Sequence, residues 1–247
     1  MSIIELFWPA FTLAFLLVFI HTIFGLEVIK RGVIFTDLAT GQFAAIGVAV
    51  SLLVFDGAYT FALTLCFALL GAFLIAIATY RVKHIEAFIG MLYALGASSI
   101  IILLSNSSEG TELFSKLQAT DILFTTASDL IEPTLLYIFI ATLFWLFYAK
   151  SSGFVRELLF FALLALTVTS SVQLAGVLVV FVLLIIPPFL SLLQNRFSQL
   201  GFAWIIGSVI IITAMLLSYF YDLPTGYAIV FVASLIGVLS ALIFGKK

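Results

Sequence analysis

Basic residues fall in every second turn between nine apolar stretches of this chain, and almost only there. Lys30 and Arg31, then Arg81 and Lys83, then Lys150 and Arg156, then Arg196, then Lys246 and Lys247 follow the first, third, fifth, seventh and ninth stretches. The first intervening turn carries Asp56 and the last carries Asp222. Lys and Arg resist translocation and collect on the cytoplasmic side of membrane proteins. The alternation therefore predicts a polytopic membrane protein with its N-terminus outside and, after an odd number of spans, its C-terminus in the cytoplasm.

The stretches run over about 6–28, 33–55, 58–80, 86–104, 133–149, 157–173, 176–194, 201–220 and 225–245. Each approaches the roughly 20 apolar residues that a helix needs to cross about 30 Å of hydrocarbon. Charged residues make up 9% of the chain, against roughly 25% in soluble domains. The predicted fold is all-α, a membrane helix bundle of about nine spans forming one domain over 1–247. Little remains outside the spans, so ATP hydrolysis and capture of a soluble substrate are expected on other polypeptides. Lys116 is the one basic residue assigned outside, with Glu5, Asp56, Glu109, Glu112, Asp121, Asp129, Glu132 and Asp222. The first stretch lacks a basic n-region and is long for a signal peptide, so it is read as a retained span.

Acidic and polar residues inside a span are expensive, and they direct attention to function. Glu27 precedes Lys30 by three positions, which suggests a local ion pair. His21 lies deep in the first span, where a neutral ring bonded to a neighbouring helix is the simplest reading. Asp37 sits at the cytoplasmic start of the second span. It either pairs with Arg31 or faces a polar path. Thr40 and Gly41 share its helical face, whereas Gln42 points about 140° away. Cys66, the single cysteine, reads as a packed thiol. Pro187 and Pro188 should kink or interrupt the seventh span, either structurally or as a gate. The segment 116–132 mixes apolar residues with Asp121 and Asp129, as in an interfacial helix or a partly inserted segment. No His, Cys or carboxylate pair recurs at i, i+4 within a span, and no hydrolase motif is present, so neither a metal site nor an intramembrane enzyme follows from the residues alone.

Four stretches, in order, resemble the permease subunits of bacterial ABC importers for zinc, manganese or iron. Residues 31–47, Arg-Gly-Val-Ile-Phe-Thr-Asp-Leu-Ala-Thr-Gly-Gln-Phe-Ala-Ala-Ile-Gly, are similar to that family's basic turn, Gly-Asp-x-x-Ser-His-Ala and later Gly. Ile85 to Leu104 is similar to its glycine-rich fourth span. Gly176 to Pro187 is similar to Val-Gly-x-Leu-Leu-Val-x-x-Leu-Leu-x-x-Pro. Ser218 to Gly226, with Asp222 and Pro224, is similar to its Ser-x-x-x-Asp-x-Pro-x-Gly turn. Thr40 takes the place of the family's Ser, and Gly41 stands where the family has His.

The resemblance implies a permease in the bacterial inner membrane, not an enzyme and with no cofactor of its own. It implies a homodimer with the metal path at the shared interface, near Asp37, Thr40, Gly41 and Gln42, with Asp37 as the metal-binding residue. The implied partners are a second copy, an ABC ATPase, an extracytoplasmic binding protein and the bilayer, with no role for nucleic acid. The family couples to its ATPase through a short helix in the turn after the fifth span. Here that turn is only Lys150 to Arg156, which leaves Phe154 and Arg156 as the coupling residues. The brevity of the turn also leaves open an ATP-independent secondary transporter or channel, and Gly41 at the His position leaves open a different ion, a chelate, or a relative that no longer transports.

Overall fold

A computed structural model describes residues 3–105 and 122–245. Helix α1 covers Ile3–Arg31, α2 Thr36–Phe55, α3 Thr60–Arg81 and α4 Ile85–Ser105. Helix α5 covers Ile131–Leu143 and continues as a π-helical turn, Phe144–Tyr148. Helix α6 covers Gly153–Ala175, α7 Val177–Leu192, α8 Gln199–Tyr221 and α9 Thr225–Phe244. Among the described residues, all but α7 are long and apolar enough to cross a membrane. At 1.5 Å per residue, the 16 residues of α7 span only about 24 Å. Among the described residues there are nine α-helices, eight of them long and apolar enough to cross a membrane, and the chain is a polytopic helical membrane protein.

Three expected details are corrected. Helix α6 begins at Gly153 rather than near 157, so Phe154 and Arg156 lie on its first turn and only residues 149–152 connect it to α5. Of the segment 116–132, residues 116–121 lie outside the described residues. The rest forms two 3-10 turns, Ile122–Phe124 and Ser128–Leu130, followed by the start of α5. No interfacial helix runs through 122–130. Cys66 is exposed on α3 rather than packed, as a small apolar side chain on a helix face turned toward lipid can be.

Chain contacts divide the molecule into two compact units. In the first, α1, α8 and α9 pack around α7, with the 122–137 stretch alongside. Small residues set the spacing, as is usual where membrane helices approach closely. A Cβ at Gly207 of α8 would come within 2.8 Å of Val18 and 3.2 Å of Pro187, and one at Gly237 of α9 within 2.8 Å of Ile186. Pro187 and Pro188 do not interrupt α7, which runs unbroken to Leu192. Neither proline has an N–H, so the carbonyls of Leu183 and Leu184 lose their helical donors. Gly25 of α1 closes directly over the Leu184 carbonyl and the Pro188 ring. The exposed backbone is thus covered by a neighbouring helix, and the expected break does not form.

In the second unit, α2 packs on α3 and α4. Gly47 sits so close to α3 that a Cβ would come within 2.5 Å of the Leu63 carbonyl. On another face of α2, Ile46 and Ala49 form a buried cluster with Ile100 and Leu104 of α4, flanked by Phe67 of α3.

Two turns, after α2 and after α8, share one construction. Ser51, near the end of α2, bonds through its hydroxyl to the Ala58 carbonyl and to the Thr60 hydroxyl, both at 2.8 Å. Ser218, near the end of α8, bonds in the same way to the Leu223 carbonyl at 2.7 Å and the Thr225 hydroxyl at 2.8 Å. Asp56 and Asp222 end the two helices in the left-handed region, at φ 51° and 52°. Asp tolerates that region better than most residues.

Candidate functional site

The start of α2 carries the sequence-predicted site. Phe35 occupies its N-cap and has no side-chain oxygen to hold the first amides. The Thr36 hydroxyl donates to the Val33 carbonyl at 2.8 Å, which ties the turn back on itself but caps no amide. Asp37 follows on the first turn, 1% exposed. No side chain partners either carboxylate oxygen. The donors nearest to it are the backbone amides of that first turn, at Asp37 and Leu38. A carboxylate placed there gains from the helix dipole, but that gain falls well short of the cost of burying an unpaired charge.

Arg31 lies 3.8 Å from Glu27, as does Lys30, so the basic pair is tied to α1 itself. The Glu27–Lys30 pair is the one expected from sequence. His21 is fully buried and donates through Nδ1 to the Leu17 carbonyl at 2.8 Å, within its own helix. A carbonyl can only accept, which fixes the proton on Nδ1.

Thr40 is as buried as Asp37, and its hydroxyl donates to the carbonyls of Thr36 and Asp37 at 2.9 and 3.1 Å. It therefore braces the first turn of α2 and does not bond the Asp37 carboxylate. Gly41 is buried on the same face, and Ala44 continues it. Gln42 lies on the α4 side, its Cβ where a Cβ on Gly96 would meet it at 2.7 Å. The structure thus groups Asp37, Thr40 and Gly41 and separates Gln42 from them. All three are buried. Among the described residues no group of three or more His, Cys, Asp or Glu side chains is arranged to hold a metal.

One residue near this turn escaped the sequence reading. Glu86, on the first turn of α4, accepts the amide N–H of Ile34 through Oε1. From sequence it reads only as an acid placed favourably at a helix start. Its partner lies 52 positions away, and nothing local signals that contact.

The other predicted residues have structural surroundings. Arg156 lies 4.5 Å from the ring centre of Tyr148 and donates to its hydroxyl at 3.1 Å. The start of α6 is thereby fastened to the π turn of α5. Phe154 is partly exposed and meets Tyr80, at the end of α3, with ring centres 5.9 Å apart. Asp222 is exposed and shapes a turn, Pro224 is the N-cap of α9, and Gly226 makes ordinary contact with Val179.

Comparison with known proteins agrees with this architecture. Two manganese transport system membrane proteins named MntC, from Listeria innocua and Listeria monocytogenes, are each 29% identical to the chain, covering 91% of it and 86% of their own length. Among solved structures, PsaBC from Streptococcus pneumoniae in complex with Fab superposes with a TM-score of 0.76 at 20% identity, covering 97% of this chain and 92% of its own. An inward-facing transporter described as a metal-chelate type ABC transporter gives 0.66 at 17% identity, covering 97% of this chain and 86% of its own. At those identities the two structures speak for the fold. The profile of the ABC 3 transport family matches residues 4–244. The chain belongs to the ABC 3 transport family, as a membrane permease subunit of an ABC transporter and not itself an enzyme.

Proposed function

We propose that this chain is the permease of a bacterial inner-membrane importer that moves a divalent metal ion, manganese before zinc or iron. The observation that carries the reading is Asp37, a buried carboxylate with no side-chain partner inside a span. Such a group is retained at a cost of several kcal/mol unless a cation meets it. Gly41 removes the imidazole that the related motif places one turn on. The groups left around Asp37 are oxygens, and oxygen ligands suit manganese better than zinc. The manganese relatives point the same way.

The path is read along α2, past Asp37, Thr40 and Gly41. Because these residues are covered within one chain, ion passage requires the helices over α2 to part. Gln42, on the α4 side, supports the helix contact and leaves the ion to Asp37. The whole of 1–247 acts as one permease domain, paired with a second copy, an ATPase below and a binding protein above. No cofactor resides in the chain, and the metal is cargo. The N-terminus faces outward and the C-terminus inward. The connection 149–152 has no room for a docking helix, so Phe154 and Arg156, on the first turn of α6, take the coupling role. Pro187 and Pro188 belong to the packed core of the first unit and serve as static structure, while Asp222, Pro224 and Gly226 shape the outer turn.

Uptake of manganese and zinc into cells lacking other importers tests the reading. Replacing Asp37 with Asn should lower manganese uptake at least about tenfold, comparable to the loss of a buried charge contact, with membrane levels of the protein unchanged. Normal uptake by that variant would remove Asp37 from the path. Uptake that persists after the partner ATPase is inactivated would favour an ATP-independent transporter.

A further inference from the structure

The beginning of α2 is held by tertiary contact because its own sequence cannot hold it. Phe35 offers no cap, and Gly32, at φ 64°, turns the chain just before it. Three bonds define the turn. The Val33 carbonyl accepts the Thr36 hydroxyl and, at 3.2 Å, the Thr36 amide. The Ile34 amide goes to Glu86.

Glu86 uses one oxygen for this bond. The other, Oε2, is buried without a hydrogen-bond partner. A turn that needed only packing would do without a carboxylate whose second oxygen is buried and unsatisfied. The bond matters for where it holds Ile34, three positions before Asp37.

Helical geometry separates the two acids. The α4 side of α2 is marked by Gln42 against Gly96 and by Ile46 and Ala49 against Ile100 and Leu104. Asp37 lies about 140° around the helix from Gln42 and about 180° from Ile46. An ion at Asp37 is therefore on the opposite side of α2 from α4, where Glu86 is anchored.

We propose that Glu86 is a positioning residue for the ion path. By holding the Ile34 amide it sets how the chain enters α2, and so where the Asp37 carboxylate stands. This inference rests on the reading of Asp37 as a path residue. A displacement of about 1 Å in a positioned group can cost up to about a hundredfold in rate, so the effect belongs in transport as well as in stability.

The test reconstitutes the permease with its ATPase and binding protein in liposomes and measures manganese moved per ATP hydrolysed. ATP hydrolysed by ATPase not assembled with permease is subtracted, so the ratio reports folded complexes alone. Glu86→Ala should lower it about tenfold, while Glu86→Gln, whose amide oxygen still accepts the Ile34 N–H, should stay within about twofold of the unaltered protein. If Glu86→Ala yields no folded protein, Glu86→Asp, one methylene shorter, takes its place with the same loss expected. An unchanged ratio in the Ala or Asp variant overturns the proposal. So does a Gln variant as poor as Ala, since the charge itself would then be acting. Asp37→Asn is measured in parallel. If its ratio is normal, the reading of Asp37 fails and this inference loses its ground. If it is defective while Glu86→Ala is normal, only the role of Glu86 fails.

Discussion

Three aspartates show how surroundings give one side chain different work. Asp37 is buried and unpartnered by any side chain, which is why the proposed path runs past it. Asp56 and Asp222 are exposed and serve through their backbones, which adopt the left-handed conformation. The role of the α8–α9 turn is thus conformational. Asp222→Gly should be tolerated, whereas Asp222→Val should cost about 1–2 kcal/mol from backbone strain. Ser218→Ala should cost about 1 kcal/mol, since it removes the hydroxyl that joins Leu223 to Thr225. Thermal unfolding of the detergent-solubilised protein would read both effects, and equal midpoints for Asp222→Gly and Asp222→Val would refute the backbone role. Asp37 was legible from sequence because an acid inside an apolar stretch has few ordinary explanations. Glu86 was not, because its meaning comes from an amide on another helix.

At the level of elements, the prolines of α7 are the instructive case. In the sequence they mark a kink or gate. In the structure the helix is continuous, because Gly25 of α1 and Gly207 of α8 bring neighbouring helices against the disturbed turn. A Cβ at position 25 would collide with the Leu184 carbonyl. Gly25→Ala should therefore force α1 off α7 and destabilise the protein by about 1–3 kcal/mol, the usual range for overpacking. Gly90→Ala meets nothing within 4 Å and makes a suitable control. If Gly25→Ala and Gly90→Ala unfold at the same temperature, the close contact is not holding α7. All nine apolar stretches were legible from hydropathy alone. The start of α6 was not, since Lys150 and Arg156 look like one polar turn. Arg156 instead folds back on Tyr148 and lets the helix begin at Gly153.

For the whole molecule, orientation and coupling are each open to direct measurement. In a Cys66→Ala background, Ser152→Cys and Leu223→Cys place single thiols in the α5–α6 connection and the α8–α9 turn. In cells whose outer face alone is accessible, a membrane-impermeant maleimide should label position 223, and position 152 only once the cytoplasmic face is opened. The reverse pattern would invert the topology. If the first turn of α6 is the coupling surface, Phe154→Ala should weaken ATPase binding several-fold, consistent with loss of one aromatic anchor, and leave the permease folded. Undiminished binding would move the contact elsewhere. The sequence by itself determined the helical class, the number of apolar stretches and the expected sidedness. Hydrophobic length and the cost of moving Lys and Arg across a membrane act on local composition, so they can be read one stretch at a time. Only the tertiary structure decided that Asp37 is enclosed within one chain, that α7 stays whole through two prolines, and that Glu86 holds the start of α2. Each depends on which backbone a distant residue reaches, and hydrogen bonding and close packing between helices set that only once the chain has folded.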